Sequence, residues 1–303
     1  MSDVPVAGMS AGLRDWRRDG RFFEHHGQCV FFKEEGHAAA VLLLHGYPTG
    51  SYDWHALWPL LTPHFRLIAP DMLGLGFSDK PHSYRYSIAH HAEMHDALLD
   101  ALGVSEVHLL AHDLGVSVAQ EMLARRVQGS TLPRIASLTL LNGGVCPEAY
   151  RPRFVQRLLA SPIGAWLGPR LPRAAVDRAL RELFAGHSRP SDSLLDDFWV
   201  LINHNDGRRV AHAVGRFWRD RLLTRDRLVE PLLQGRAPLR LINGAADPNS
   251  GRHMVTRFRE LVPQVDVVSL EHVGHWPQIE APEAVARSFM DFVNAPIDPL
   301  PLP

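Results

Sequence analysis

Short solid runs of apolar residues, each closed by Gly, Pro, Asn or Asp, alternate along this chain with longer stretches whose apolar residues recur at helical spacing. Ala38–Leu44 is the clearest run, and it stops at His45-Gly46-Tyr47-Pro48. Arg66–Ala69, Val107–Ala111, Ile135–Leu141, Leu239–Asn243 and Val265–Leu270 take a similar form. Runs of this length without polar alternation predict strands covered on both faces. Ile88–Leu102, Val116–Arg126 and Glu283–Val293 carry the helical pattern, the first stopping at Gly103. Arg21–Glu24 and Cys29–Lys33 flank His26-Gly27 and predict a hairpin. Ahead of it, residues 1–20 predict a loose start with a short anchoring turn around Arg14–Arg18. Asn294–Pro303 predicts a proline-rich tail with little core to offer. Strands alternating with helices predict an α/β fold, a mostly parallel central sheet with helices on both faces.

The pattern changes from about Cys146 to Gly235. Arginines, prolines and amphipathic pieces such as Leu194–Ile202 and Val210–Leu223 replace the strand runs. This segment predicts an inserted helical lid. The expected organisation is a core over 1–145, a lid over 146–236 and the rest of the core over 237–303.

Composition narrows the picture without naming a chemistry. A length of 303 residues, 46% of them hydrophobic, suits one large soluble domain with an insertion. A formal net charge of -1 gives no reason to expect nucleic acid or a membrane surface as partner. Cys29 and Cys146 are too few for a disulfide framework. Met1–Ser10 lacks the basic-then-apolar pattern of a leader, and no apolar run has the length of a membrane span. The expectation is a cytoplasmic protein; its oligomeric state is not encoded in any of these features.

The candidate chemistry centres on Leu109-Leu110-Ala111-His112-Asp113-Leu114-Gly115. An apolar strand, a tight turn with small residues on either side of an acid, then a helix is the layout of a nucleophile elbow. Ala111 and Gly115 are the small residues, and Asp113 takes the nucleophile position. The helix start favours an anion there. A carboxylate is already ionised at neutral pH. Attack on an acyl carbon would give an unstable anhydride, whereas attack on a saturated carbon gives an ester that water can cleave. The competing reading of Asp113 is a capping residue.

Asp247 and His275 each follow a predicted strand, and so fall at the carboxyl edge of the sheet. They complete the order nucleophile, acid, histidine. His275 would deprotonate water, and Asp247 would fix its tautomer and stabilise the imidazolium. Their competing readings are a packing histidine and an Asp-Pro turn. Asn142 sits at another strand end but, as an amide, cannot serve as the acid. Backbone N–H groups of Tyr47 and Leu114 are the expected oxyanion donors.

Several stretches carry a resemblance over nearly the whole chain from Trp16 to about Asn294. They include Trp16-Arg17-Arg18-Asp19-Gly20, His45-Gly46-Tyr47-Pro48-Thr49-Gly50-Ser51-Tyr52-Asp53-Trp54, Gly74-Leu75-Gly76-Phe77-Ser78-Asp79-Lys80-Pro81 and Asn142-Gly143-Gly144-Val145-Cys146-Pro147-Glu148. Asn205-Asp206-Gly207 and His275-Trp276-Pro277-Gln278-Ile279-Glu280 continue it. The chain resembles the α/β-hydrolase superfamily in its Asp-nucleophile branch of epoxide hydrolases and haloalkane dehalogenases. It resembles most the family of the mesoderm-specific transcript protein and its bacterial relatives. The resemblance implies the hydrolase fold and the triad Asp113, Asp247 and His275, with no cofactor and no metal.

It also frames the leaving group. Haloalkane dehalogenases hold halide with an Asn after His-Gly and a Trp after the nucleophile; here those places hold Tyr47 and Leu114. Fluoroacetate dehalogenases carry an Arg where Leu114 stands. Epoxide hydrolases use two lid tyrosines to donate to the opening oxygen, because alkoxide leaves poorly. Tyr150 is the lid's tyrosine, and Trp218 stands in the stretch that resembles the second position. Indole donates a hydrogen bond but is not a practical acid. His204 is a further candidate. The aromatic residues Trp166, Phe184, Phe198, Trp199, Phe217 and Trp218 predict an apolar chamber over Asp113 or a lid-to-core seam.

The expectation is a hydrolase working through an aspartyl ester on a small apolar substrate, an epoxide first. The alternatives are a dehalogenase with unusual halide donors, or a binding protein that keeps the hydrolase shell without turnover. Two other patterns offer weaker readings. His91 and His95 are four apart on a predicted helix, a metal-compatible spacing. They lack a third ligand and are expected on exposed helix surface. Gly74-Leu75-Gly76 opens no clear helix and so forms no dinucleotide fingerprint; Asp71 and Asp79 read as turn-fixing residues.

Overall fold

The solid apolar runs become the inner strands of a single sheet. A computed structural model describes residues 8–130 and 133–295. In chain order its strands are β1 (Arg21–His25), β2 (Gln28–Glu35), β3 (Ala40–Leu44), β4 (Arg66–Pro70), β5 (Glu106–Asp113), β6 (Arg134–Gly143), β7 (Leu239–Gly244) and β8 (Asp266–Leu270). Their order across the sheet is β1-β2-β4-β3-β5-β6-β7-β8. The β1/β2 and β2/β4 pairs are antiparallel and the other pairs parallel. All five residues of β3 are buried, as expected for a strand with helices above and below it.

Alternation along the strands splits the core into two layers. One face gathers Leu42, Leu44, Leu109, Ala111, Leu138 and Leu140, under helices Ile88–Ala101, Leu114–Val127 and Arg252–Leu261. The other gathers Val41, Leu43, Leu110, Leu141 and Ile242, under helices Ala11–Asp19 and Pro282–Asn294. Burying a full aliphatic side chain is worth roughly 1.5–3 kcal/mol, so these two layers dominate the fold's stability.

One N-terminal and one central expectation change. Where a short turn around Arg14–Arg18 was expected, residues Ala11–Asp19 form a helix. Ser10 caps it by accepting the Leu13 N–H at 3.1 Å, and only Leu13 and Trp16 are buried. Two apolar residues three apart among charged ones are a faint helical signal. Residues 1–7 of the expected loose start lie outside the described residues, as do residues 296–303 of the tail. Val210–Leu223 is not one piece: helices Gly207–Val214 and Phe217–Leu223 are separated at Gly215-Arg216.

Between β6 and β7, residues 146–236 contain helices and, among the described residues, no strand. The longest is Asp192–Asn203, started by Ser191, whose hydroxyl accepts the Leu194 N–H. Leu180, Leu183, Phe184, Leu195, Phe198 and Ile202 of this segment pack around Trp276. The segment is thus anchored on the loop that carries His275. Among the described residues, no helix is long and apolar enough to cross a membrane.

Candidate active site

β5 ends on Asp113 and the helix Leu114–Val127 starts at the next residue. Asp113 sits at φ 47°, ψ −105°, a conformation that costs an L-residue about 1–3 kcal/mol. Close packing holds it there. The Gly115 N–H donates to the His45 carbonyl at 3.1 Å, so the helix start and the β3 exit loop touch through backbone. A Cβ on Gly115 would lie 2.2 Å from the Leu44 carbonyl oxygen, and one on Gly46 would lie 2.8 Å from the Asp113 Cβ. Glycine is required at both places for this reason.

The loop after β3 faces the elbow. The Tyr47 N–H donates to Asp113 Oδ2 at 3.1 Å. Asp113 Oδ1 is buried and has no protein hydrogen-bond partner. One oxygen is therefore held and the other is available to attack. Leu114, the second expected donor, is the first residue of the elbow helix and is fully buried. His45 fixes the loop: its Nε2 accepts the Met72 N–H at 2.9 Å, while Nδ1 lies 2.7 Å from the Gly46 carbonyl.

The other two triad candidates meet directly. His275 Nδ1 lies 2.9 Å from Asp247 Oδ2, and both side chains are buried. Burial pulls the His275 pKa down, but Asp247 and, more weakly, Asp113 outweigh it and push it up to about 9. Burial pushes Asp247 up, and His275, Ser250 and the Asn249 N–H outweigh that, taking it down to about 2. The pair therefore favours imidazolium beside carboxylate while Asp113 is an anion.

Residues outside the sequence-based triad hold it in place. Asn142 Nδ2 donates to Asp247 Oδ2 at 2.9 Å, while its Oδ1 accepts the Gly244 N–H at 2.6 Å. The amide excluded as an acid is thus the acid's support. Ser250 Oγ and the Asn249 N–H also donate to Asp247, at 2.5 and 2.8 Å. Behind His275, His112 Nε2 lies 2.7 Å from the His275 carbonyl; burial keeps His112 well below the usual imidazole range, hence neutral and donating. Trp276 Nε1 donates to buried Asp53, whose carboxyl burial pushes up to about 7. Asp53, His112 and Asn142 all lie inside stretches singled out from the sequence, but none carries a local sign of its supporting role.

A cavity of about 110 Å³ opens beside this group. Tyr47 and His275 line it from the core, and Gln156, Leu159, Leu171, Val176, Leu180, Leu183 and Ile202 line it from the helical segment. The cavity is therefore lined mainly by aliphatic side chains, and Phe184 and Phe198 take the other expected place, the lid-to-core seam. Phe184 and Phe198 pack on Trp276 at 4.8 and 5.8 Å between ring centroids. Trp199 lies under Arg208, and Trp166 is exposed under Arg170. Phe217 packs against Tyr47, and half-buried Trp218 against the first core layer. His204 packs edge-on against Phe77, with burial first among the causes taking its pKa down to about 4.

Neither Tyr150 nor Trp218 is among the residues lining that cavity. Tyr150 is buried, and its hydroxyl accepts N–H groups from Gln156 at 3.0 Å and Asn249 at 2.9 Å. Its own proton remains to be donated. Burial, then the Asp113 charge, raises the phenol's pKa, against which Arg221 acts. The fully buried Arg221 guanidinium lies 3.9 Å from the Tyr150 ring centroid. Gly144 makes room for it, since a Cβ there would sit 2.2 Å from Arg221 Cζ. Arg221 carried no signal in the sequence reading.

The remaining patterns divide. Asp71 is turn-fixing, accepting the Ser51 and Phe77 N–H groups at 2.5 and 2.6 Å, and Asp79 accepts the Cys29 N–H at 2.7 Å. His91 and His95 are not on exposed helix surface; both are buried, and burial lowers both pKa values, His91 to about 3. They are buried together with Ala92, Met94, Asp96 and Leu98, because this helix is covered over much of its circumference.

Known proteins share this arrangement of chain. The profile of the alpha/beta hydrolase fold family matches residues 39–282. The mesoderm-specific transcript homolog protein of Bos taurus is 38% identical over 306 residues, covering 96% of this chain and 91% of the relative. Haloalkane dehalogenase 2 of Mycobacterium bovis is 26% identical over 278 residues, covering 90% of this chain and 94% of its own. Among solved structures, the haloalkane dehalogenase DbeA from Bradyrhizobium elkani USDA94 superposes with a TM-score of 0.76 at 24% identity, covering 90% of this chain and 97% of that one.

Proposed function

Because the chain belongs to the alpha/beta hydrolase fold family, we propose that it is a hydrolase in which Asp113 attacks a saturated carbon, and that its reaction is the opening of an epoxide to a diol. The observation that carries this reading is a buried carboxylate, not a hydroxyl, at a strained elbow, with a buried imidazole–carboxylate pair beside it. Residues 146–236 act as the lid that closes an apolar cavity over it.

In the first step the free Asp113 Oδ1 bonds to an epoxide carbon and the carbon–oxygen bond of the ring breaks. The oxygen leaves with the electron pair and takes a proton from Tyr150, which lies outside the cavity lining but near enough to Asp113 for its pKa to be raised by that charge, and whose lone pairs already accept two N–H groups. Arg221 against the ring face opposes the phenol's raised pKa and so eases that transfer. Tyr47 is the weaker candidate because its hydroxyl is committed to the Ala211 carbonyl at 3.2 Å.

Ester formation removes the negative charge of Asp113, one of the anions that raise His275. The His275 pKa then falls, the imidazolium gives up its proton to solvent, and the neutral imidazole is available when a base is needed. It takes a proton from water, whose oxygen attacks the ester carbonyl carbon. The Tyr47 N–H, and the Leu114 N–H at the helix start, stabilise the resulting oxyanion. Collapse frees the diol and regenerates Asp113, and the imidazolium, held by Asp247 meanwhile, gives its proton back through water to the Tyr150 phenolate.

Dehalogenation is the second reading, favoured by the haloalkane dehalogenase named among the relatives. Tyr47 and Leu114 stand where such enzymes hold halide with Asn and Trp, which is why epoxide opening is placed first. A His275→Gln variant separates these. With panels of epoxides and haloalkanes, the account expects a protein mass raised by the whole epoxide and located on Asp113. An adduct of the alkyl group alone, from haloalkanes only, would move the assignment to dehalogenation. No adduct on either panel, with tight small-ligand binding by the parent, would instead support a binding protein.

A further inference from the structure

The hairpin that closes the antiparallel edge of the sheet carries a second cluster of chemistry. β1 ends at His25, β2 starts at Gln28, and His25 pairs with Gln28 across a two-residue turn. Both turn residues have positive φ, His26 at 50° and Gly27 at 73°. This is the pattern of a type I′ turn, where Asn or Asp usually precedes Gly. A histidine occupies that place here. Consecutive strand residues normally point to opposite faces. The left-handed turn instead swings His26 back, so that the two rings lie 4.2 Å apart between centroids.

Glu93 reaches the same spot from helix Ile88–Ala101, which packs beside β1. Its Oε1 lies 3.6 Å from His26 Nε2. That is too long for a hydrogen bond. It is close to the separation of two ligands of one tetrahedral ion, about 3.3–3.4 Å for bonds of about 2.0–2.1 Å. One ligand atom from each of His25, His26 and Glu93 lies within 4.8 Å of the others. The side chains of His26 and Glu93 are 77% and 46% exposed, so an ion has access from solution.

We propose that His25, His26 and Glu93 form a binding site for a zinc-class divalent cation, with solvent completing the coordination. Two imidazoles and one carboxylate suit zinc and its neighbours rather than calcium or magnesium. Bound there, the ion ties the edge hairpin to the helix across a gap now bridged by side chains alone.

The test uses the tag-free full chain, stripped with chelator and titrated with Zn²⁺ against a chromophoric competitor. Co²⁺ absorption reports coordination geometry. The expected result is one saturable equivalent, weakened at least about tenfold in His26→Ala and in Glu93→Gln and unchanged in His82→Ala, a change at an exposed histidine elsewhere. Zn²⁺ should also slow amide exchange in the hairpin of the parent but not of His26→Ala. No saturable equivalent, or one that both variants retain at parental strength, overturns the proposal.

Discussion

Adding one methyl group at Gly115 tests the elbow on which the site is built. In Gly115→Ala the new Cβ would lie 2.2 Å from the Leu44 carbonyl oxygen, 2.6 Å from its carbon and 2.8 Å from its Cβ. An ordinary contact is about 3.4 Å, so the helix must retreat from β3 by about 1.2 Å, with strained backbone on both sides. β3 cannot give way alone, because β5 pairs with all five of its residues, Leu44 included, and β4 with Ala40, Val41 and Leu42. The cost should reach or exceed the upper end of the usual overpacking range, about 3 kcal/mol. At about 2 °C per kcal/mol for a chain of this size, Tm falls by about 6 °C or more. A displacement on the order of 1 Å at the nucleophile should lower kcat by about a hundredfold in protein that remains folded. Thermal unfolding followed by circular dichroism reads the first effect, with Gly186→Ala as control, since a Cβ there meets nothing within 4 Å. A Gly115→Ala protein melting within 1 °C of parent, on the order of the error of such a comparison, would refute the close-packed elbow.

Other outcomes follow from the same geometry. Asp247→Asn should leave alkylation of Asp113 in place but slow release on the order of 10³–10⁴-fold, read as accumulated ester in rapid-quench mass spectrometry. Asp113→Asn removes an anion that raises His275, so the imidazole pKa should fall below its parental value of about 9 in an NMR titration. His275's raised pKa contributes stability that is complete below about 6.5 and lost as pH rises through about 9; in Asp113→Asn that alkaline loss should be smaller and end at lower pH, and an unmoved end would contradict the coupling. Leu180→Trp narrows a cavity of about 110 Å³, so kcat/KM should drop for bulky epoxides and be spared for small ones.

Asp113, Asp247 and His275 are legible because each comes at or just after the end of an apolar run, which places all three at one sheet edge. Their support is not. Nothing local in Asn142 distinguishes a strand-end amide from one that donates to an acid 105 residues away. The helical segment was readable as helical, yet which residues face the cavity depends on how its short helices rotate against the core. Leu180 and Leu183 turn inward, while Trp166 turns out. His91 and His95 failed for a related reason: the helix Ile88–Ala101 is buried over more than one face, so polar residues at helical spacing do not mark its exposed side.

The most direct measurement is a single turnover in ¹⁸O-water, with enzyme in excess over the epoxide that the parent consumes fastest. If Asp113 bonds to carbon and water then attacks the ester carbonyl, the first diol carries an unlabelled oxygen from the protein. The label then appears in the peptide containing Asp113. A first diol fully labelled at its new hydroxyl, with that peptide unlabelled, would mean that water attacks the substrate directly and that Asp113 never becomes an ester.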